Sequence, residues 1–253
     1  MTFGHVAPKW LLDEASFSVR EGSKITLMGQ NGAGKSTIFK MITGELKPSD
    51  GRILITAGKH IAIAKQVMPK EDKELTISEY FRKYSRSDSH NIDRGIREVL
   101  DAVDFVPNPP KGSEITKEKA FAKFLERTIS SFSGGQQARL LLASALIQEP
   151  DILLLDEPTN NLDTAGIWHM TTFLQNYTKT VLVISHDAEF LNSFTDGILY
   201  LDIWTKQVEQ FVGNYHDAVE QVERRIENQN RENARLEKEI QANKDQANVF
   251  AHK

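Results

Sequence analysis

Short apolar runs punctuate the first third of the chain at the spacing expected of β-strands. Residues 11–19 and 24–28 have the length and composition of strands, and a Glu-Gly turn at residues 21–22 separates them. Residues 52–55 and 60–64 predict two more short strands. The first third of the chain is therefore predicted to be rich in β-structure.

Helical patterns begin directly after the second run and dominate the middle of the chain. A helix is predicted over residues 35–43, and Gly44 is a suitable residue to end it. Helical segments continue from residue 76 to about residue 105, followed by a proline-rich loop at residues 106–112. Residues 136–146 are helical again.

Two unbroken apolar runs, at residues 152–155 and 181–184, are typical of buried parallel strands. Their alternation with helical segments predicts an α/β domain built on a parallel sheet. The helices between residues 68 and 148, approximately, are predicted to form a subdomain of their own.

The chain changes character after residue 213, because neither glycine nor proline occurs beyond it. Apolar positions then alternate by four and three residues, which predicts a coiled-coil helix of about 36 residues and roughly 54 Å. Polar Gln229, Asn233 and Asn243 weaken this seam, so fraying, docking on the domain and pairing with another chain all remain open. The seam consists of Tyr215, Val219, Val222, Ile226, Gln229, Asn233, Leu236, Ile240, Asn243, Ala247 and Phe250.

Composition and charge narrow the class of protein. Hydrophobic residues make up 40% and charged residues 26% of the 253 residues, as in globular proteins. There is no cysteine, no apolar run near the roughly 20 residues of a membrane span and no secretory signal in residues 1–10. A cytoplasmic protein without membrane insertion is predicted. The net charge of −4 does not favour polyanion binding over the whole surface.

A glycine-rich loop lies between the strand at residues 24–28 and the helix that follows. It matches the G-x-x-x-x-G-K-[ST] pattern, in which backbone N–H groups and a helix N-terminus surround phosphate oxygens. Lys35 is predicted to reach the β- and γ-phosphates, and Ser36 to bind Mg²⁺. The predicted nucleotide-binding residues are Gly29, Gln30, Asn31, Gly32, Ala33, Gly34, Lys35, Ser36 and Thr37.

Acidic and histidine side chains follow the two buried strands, at the sheet edge where ligands bind in open α/β folds. Asp156 is predicted to bind Mg²⁺, and Glu157 to act as the general base that orients the attacking water. His186 follows the next strand and is predicted to contact the γ-phosphate. An isolated acid pair is more often a solvated turn, and a lone histidine is usually structural, but this location favours catalysis.

Taken together and in order, these segments resemble the nucleotide-binding domains of the ATP-binding cassette superfamily. The resemblance implies a P-loop NTPase cassette with a RecA-like parallel-sheet core, an N-terminal antiparallel β subdomain and a helical subdomain. It implies ATP hydrolysis at an interface with a second cassette, arranged head to tail, of the same full-length chain or of a homodimer. Ser133, Gly134, Gly135 and Gln136 resemble the signature that closes over the partner's nucleotide.

The same resemblance assigns further residues. Gln66 looks like the Q-loop glutamine, with catalytic and metal-binding roles, and His186 looks like the switch histidine. Asp163 ends the D-loop segment Asn-Leu-Asp. Phe3 looks like the aromatic residue that stacks on adenine, with Trp10 in reserve. Phe132 departs from the family pattern, which usually has leucine there.

Residues 157–163, 185–191 and 211–215 resemble the ABC-F branch, whose members carry two cassettes joined by a helical linker. This divides the chain into a cassette at residues 1–213 and one linker arm at residues 214–253. The branch implies action on the ribosome and tRNA in translation or antibiotic resistance. The arm carries seven Lys plus Arg and eight Asp plus Glu, so its charge does not support that role.

Three other readings remain open. An ATPase subunit of a membrane transporter would lack the coiled-coil extension. A chromosome-maintenance ATPase would carry its coiled coil between the phosphate loop and the signature, whereas here it follows His186. A binding module could use ATP only as structural glue, although Glu157 favours turnover.

Overall fold

The structure, a computed structural model, describes residues 3–4, 10–86, 92–107 and 116–251, and the side chains of 11–86, 92–107 and 116–242. The strands among them are β1 (Phe3–Gly4), β2 (Trp10–Leu12), β3 (Lys24–Gly29), β4 (Ile61–Ala64), β5 (Ile152–Asp156), β6 (Thr180–Ile184), β7 (Gly197–Leu201) and β8 (Val208–Val212). The α-helices are α1 (Lys35–Ile42), α2 (Ile77–Tyr84), α3 (Ile92–Ala102), α4 (Lys117–Leu125), α5 (Gly134–Leu146), α6 (Thr164–Asn176), α7 (Ala188–Asn192) and α8 (Tyr215–Ala251).

Six strands form one sheet in the order β4-β5-β6-β3-β7-β8, and only the last pair is antiparallel. The carboxyl ends of β3, β4, β5 and β6 therefore lie along the same edge. Strand β6 lies between β5 and β3, which places the ends of these three strands side by side. The predicted parallel-sheet core is confirmed.

Alternating side chains of the central strands face two separate hydrophobic clusters, as the two-residue period of a strand requires. Leu153 and Leu155 pack with helices α2 to α6 on one face. Leu154 packs on the other face, with Ile38 and Phe39 of α1. The continuous apolar character of β5 is thus explained by burial on both sides.

The predicted strand at residues 11–19 is only partly correct, and the one predicted at residues 52–55 is wrong. Strand β2 ends at Leu12, and residues 15–20 and 52–56 have no strand assignment. Phe17, Val19 and Ile53 nevertheless pack against the α1 cluster. These side chains are held by apolar packing without a backbone ladder, so their strand-like pattern reflects burial. In the N-terminal region, β1 and β2 pair as a small antiparallel sheet.

Helix α8 confirms the predicted helical extension, but the seam has two different environments. Val222 is 4% exposed and packs on the domain, whereas Ile226, Leu236 and Ile240 are 37%, 49% and 53% exposed. The first turns are also fixed by Arg225, which forms ion pairs with Asp202 and with Glu209. The beginning of the helix is therefore docked and the rest projects from the domain. Asn243, Ala247 and Phe250 of the seam lie outside the described side chains, and coiled-coil pairing stays a prediction.

Within the part of the chain that the structure describes, no helix combines the length and apolar composition needed to cross a membrane.

Candidate nucleotide site

The phosphate loop (residues 29–36) connects β3 to α1, as predicted. Gly29 is the last residue of β3 and lies so close to β7 that an added Cβ would be 2.7 Å from the Leu201 carbonyl oxygen. Gly34 has a φ of 103° and immediately precedes α1. Both positions require glycine, the first for close approach and the second for its backbone conformation. The loop thus delivers the N-terminus of α1 to the sheet edge.

Lys35 bends back over this loop. Its Nζ donates to the carbonyl oxygens of Gly29 at 2.7 Å and Gln30 at 3.3 Å. Burial lowers the pKa of Lys35, and the nearby carboxylates of Glu157 and Asp156 partly oppose that shift. The phosphate loop and the two acids that follow β5 therefore lie within electrostatic reach of each other.

Asp156 and Ser36 meet directly. Ser36 is the second residue of α1, and its hydroxyl lies close enough to the Asp156 carboxylate at the end of β5 to affect the pKa of that group. Burial raises the pKa of Asp156, while the Ser36 hydroxyl and the charges of Lys35 and Lys40 act in the opposite direction. Two of the three predicted Mg²⁺ ligands, Ser36 and Asp156, are thus brought together.

Glu157 and His186 form the second contact between strand ends. His186 Nε2 lies 3.3 Å from Glu157 Oε1, and the Glu157 side chain is only 13% exposed. Burial raises the pKa of Glu157, and His186 partly opposes the shift. The Glu157 backbone has a φ of 52° and its N–H donates to the Ile184 carbonyl at 2.8 Å. A buried acid in a left-handed conformation costs stability, and such costs cluster at functional sites.

Gln66 lies at the same edge. Ala64 pairs with Leu155 in the parallel ladder, and Gln66 follows β4 by two residues, as Glu157 follows Leu155. The Gln66 side chain is exposed. Its position is compatible with the predicted role, which stays a prediction. The side chains of Phe3 and Trp10, predicted to stack on adenine, lie outside the described side chains, although both backbones belong to the β1–β2 pair.

The signature turn (residues 133–136) opens α5. Ser133 Oγ accepts from the Gln136 N–H at 3.4 Å, and Gln136 Oε1 accepts from the Ser133 N–H at 3.0 Å. This reciprocal capping box leaves the first N–H groups of the helix available for an anion. Phe132 is buried among Phe105 and Phe124. An apolar ring therefore fills the position where leucine was expected.

The acidic loop (residues 157–163) lies against the signature turn. An added Cβ on Gly135 would be 2.5 Å from the Asn161 carbonyl oxygen. Asp163 caps α6 by accepting from the Gly166 N–H at 2.9 Å, and it lies 3.4 Å from Arg139. The Gly166 contact, followed by the Arg139 charge, lowers the pKa of Asp163. Arg139 was not predicted, although a cation shortly after the signature turn on α5 was a readable signal.

The donor set fits a magnesium nucleotide better than a metal held by protein alone. Among the residues that the structure describes, no group of three or more His, Asp or Glu side chains could hold a metal. Mg²⁺ typically takes one or two protein ligands together with phosphate oxygens and water. The Ser36 hydroxyl and Asp156 carboxylate match that requirement.

A cavity of about 500 Å³ lies elsewhere, lined by Val19, Asp151 and Thr180 among others. Asp151 and Thr180 are at the amino ends of β5 and β6, opposite the edge that carries Asp156. Its size therefore does not identify it as the nucleotide site.

Comparisons with known proteins identify the family to which the chain is similar. Residues 12–160 match the family described as ABC transporter. The chain is 31% identical to the uncharacterized ABC transporter ATP-binding protein YfmM of Bacillus subtilis, over 92% of this chain and 51% of the relative. It is 30% identical to ABC transporter F family member 5 of Arabidopsis thaliana, over 93% and 38%.

A third relative is the energy-dependent translational throttle protein EttA of Mycobacterium tuberculosis, 27% identical over 92% of this chain and 45% of that protein. The chain thus spans about half the length, or less, of these curated relatives. Among solved structures, a dimeric ATP-binding cassette in a post-hydrolysis state with ADP and Pi superposes with a TM-score of 0.63. It is 24% identical and covers 83% of this chain and 94% of that one, which supports the fold.

Proposed function

Because the chain belongs to the ABC transporter family of ATP-binding cassettes, we propose that its sheet edge binds Mg-ATP and hydrolyses it. One observation carries this proposal: the phosphate loop after β3 and Asp156 at the end of β5 meet at the same sheet edge, with Ser36 and Lys35 close enough to Asp156 to affect its pKa. Ser36 and Asp156, two of the three predicted metal ligands, belong to separate segments, yet they converge at one point of the edge. Lys35 lies beside Ser36 and Asp156, and its charge is near the carboxylates of Asp156 and Glu157.

Each residue has a chemical task at this edge. The N–H groups of the phosphate loop and the Lys35 ammonium bind phosphate oxygens, which carry negative charge. Bound Mg²⁺ would supply further neutralisation of phosphate charge, with Ser36, Asp156 and Gln66 as its protein ligands. Glu157 orients the attacking water and accepts its proton, and the raised pKa of Glu157 suits a general base. His186 contacts Glu157 at 3.3 Å and is proposed to contact the γ-phosphate.

Full activity is proposed to need a second cassette. The signature turn presents N–H groups at the start of α5, while its backbone packs against the acidic loop of the same chain. In a head-to-tail pair, Ser133 and Gln136 would contact the nucleotide bound by the partner's phosphate loop, with Asp163 at the same interface. The solved relative with ADP and Pi is dimeric, which supports this arrangement.

We further propose that the cassette belongs to an ABC-F protein that acts on the ribosome. The segments at residues 157–163, 185–191 and 211–215 support the branch, as do relatives named as an F family member and as a translational throttle. Helix α8 projects with exposed apolar side chains, as a linker arm would. The alternative is an ATPase subunit of a membrane transporter. ATP-dependent sedimentation of the full-length protein with ribosomes supports the first, and co-purification with a membrane protein supports the second.

Nucleotide binding is tested by calorimetry with two matched lysine variants. Lys35→Ala removes a charge-assisted contact to phosphate, which is worth about 1.5–3 kcal/mol and so weakens ATP binding roughly 10- to 100-fold. Lys47→Ala removes the same charge from an exposed position beyond α1 and should change the affinity less than about twofold. Equal affinities of the two variants would refute the assignment of Lys35.

A further inference from the structure

We propose that Arg139 is a positioning residue for hydrolysis, because it fastens the far end of the acidic loop to α5. This inference rests on the proposed function, since the acidic loop begins at Glu157. Arg139 itself lies on α5, two residues beyond Gln137 and outside the predicted signature. It does not contact the phosphate loop in any interaction described above, so it acts through the acidic loop.

The Arg139 guanidinium joins three segments. Nη1 donates to the Asp104 carbonyl oxygen at 2.8 Å, just after the end of α3. Nη2 donates to Asp163 Oδ1 at 3.4 Å. The Asp104 carboxylate lies 3.7 Å from Nη1 and 3.0 Å from His169 Nε2 on α6. The Arg139 side chain is 18% exposed. The end of α3, helix α5 and the acidic loop therefore meet around a largely covered cation.

Close packing around Gly166 holds the Arg139 and Asp163 side chains in contact. An added Cβ on Gly166 would be 3.0 Å from Arg139 Nη2 and 2.9 Å from Asp163 Oδ1. Both distances are tighter than nearly all real Cβ contacts, so any larger residue at 166 displaces the pair. The absence of a side chain at Gly166 therefore leaves the space in which Arg139 and Asp163 meet.

The acidic loop needs such a fastening because its backbone is strained. Glu157 and Asn161 have φ values of 52° and 67°, in the left-handed region that non-glycine residues rarely occupy. Conformations of this kind persist only when surrounding contacts hold them. At the near end Glu157 donates to Ile184, and at the far end Asp163 is held by Gly166 and Arg139. Loss of the Arg139 contact should therefore loosen the loop that carries the general base.

Local amide hydrogen exchange of the 253-residue chain tests this directly. Arg139→Gln is expected to speed exchange across residues 157–163 roughly two- to fivefold and to leave β7 and α8 unchanged. Gly166→Ala, which retains the arginine but displaces its partner, should give the same local pattern. Arg94→Gln breaks an exposed ion pair with Glu98 on α3 and is the matched control. Unchanged exchange in the acidic loop, or faster exchange throughout the chain, would overturn the proposal.

A second readout separates positioning from a purely structural role. Because Asp163 is 74% exposed, its ion pair adds little to global stability, and the lost hydrogen bond to the Asp104 carbonyl should lower the melting temperature of Arg139→Gln by only a few degrees. The ATP affinity should remain within about twofold, while turnover at saturating ATP falls roughly tenfold. A parallel loss of affinity and turnover would count against positioning. Absence of ATP binding by the wild-type chain would instead remove the proposed function, leaving the exchange result to decide the role of Arg139.

Discussion

The two neighbouring glycines of the signature turn should respond oppositely to alanine. An added Cβ on Gly135 would lie 2.5 Å from the Asn161 carbonyl oxygen, whereas one on Gly134 would have its nearest contact at 3.7 Å, with Asn161 Cβ. The first distance is a clash with backbone, and the second is an ordinary van der Waals contact. Neither glycine has a positive φ, so backbone conformation does not distinguish the two substitutions.

The magnitude follows from the displacement that each substitution forces. Relief of the Gly135 contact to the ordinary limit of 3.4 Å requires a movement of about 0.9 Å, which the acidic loop and α5 must share. Overpacking of this kind costs about 1–3 kcal/mol. Both alanines gain up to about 1 kcal/mol of helix propensity, which cancels when the variants are compared. Gly135→Ala should therefore be about 2 kcal/mol less stable than Gly134→Ala, or roughly 4–8 °C lower in melting temperature.

Urea unfolding of the two variants measures this difference, with unchanged m-values as the check that both remain two-state. The wild type provides the reference for the helix-propensity gain at Gly134. Equal stability of the two variants, or a lower stability of Gly134→Ala, would refute the packing of the signature turn against the acidic loop.

Two further predictions concern α8 and the general base. Val222→Ala should lower the free energy of unfolding by roughly 1–3 kcal/mol, because Val222 is buried against the domain. Leu236→Ala, on the projecting part of α8, should change that free energy by less than about 0.5 kcal/mol. Urea titrations of the two variants measure the difference. Burial raises the pKa of Glu157, so ionisation of Glu157 destabilises the folded state. This destabilisation is absent below the usual pKa of about 4.3, grows as pH rises from that value to the folded-state pKa, and is fully present above it. Glu157→Gln should therefore raise the melting temperature at neutral pH but not at about pH 4, and should still bind ATP; a constant difference across this range would contradict the burial argument.

Much of the fold was predictable, because strands that are buried on both faces of a sheet appear in the sequence as continuous apolar runs. The unbroken apolar runs of β5 and β6 and the glycine after α1 gave the correct elements at nearly the correct bounds. Residues 15–19 have a strand-like apolar pattern for a related reason, since Phe17 and Val19 are partly buried without forming a strand. Apolar alternation reports burial, and a ladder also depends on a partner strand elsewhere in the chain.

The candidate site was predictable where the chemistry lies within one short segment. The phosphate loop and the Asp-Glu pair are such segments, and their convergence follows from the parallel order of β3, β6 and β5. The Arg139 contacts were not predictable in this way. Asp104 and Asp163 are 35 and 24 residues from Arg139, and a surface-like charge pattern does not indicate which acids it meets.

Iron-directed cleavage tests most directly whether the phosphate loop and Asp156 share one metal-nucleotide site. Fe²⁺ can replace Mg²⁺ and, with ascorbate and peroxide, cut the backbone only near the bound ion. The account predicts ATP-dependent cuts both at residues 29–37 and beside Asp156, which are lost in Lys35→Ala. Cleavage confined to one of these segments, or independent of ATP, would contradict a shared site.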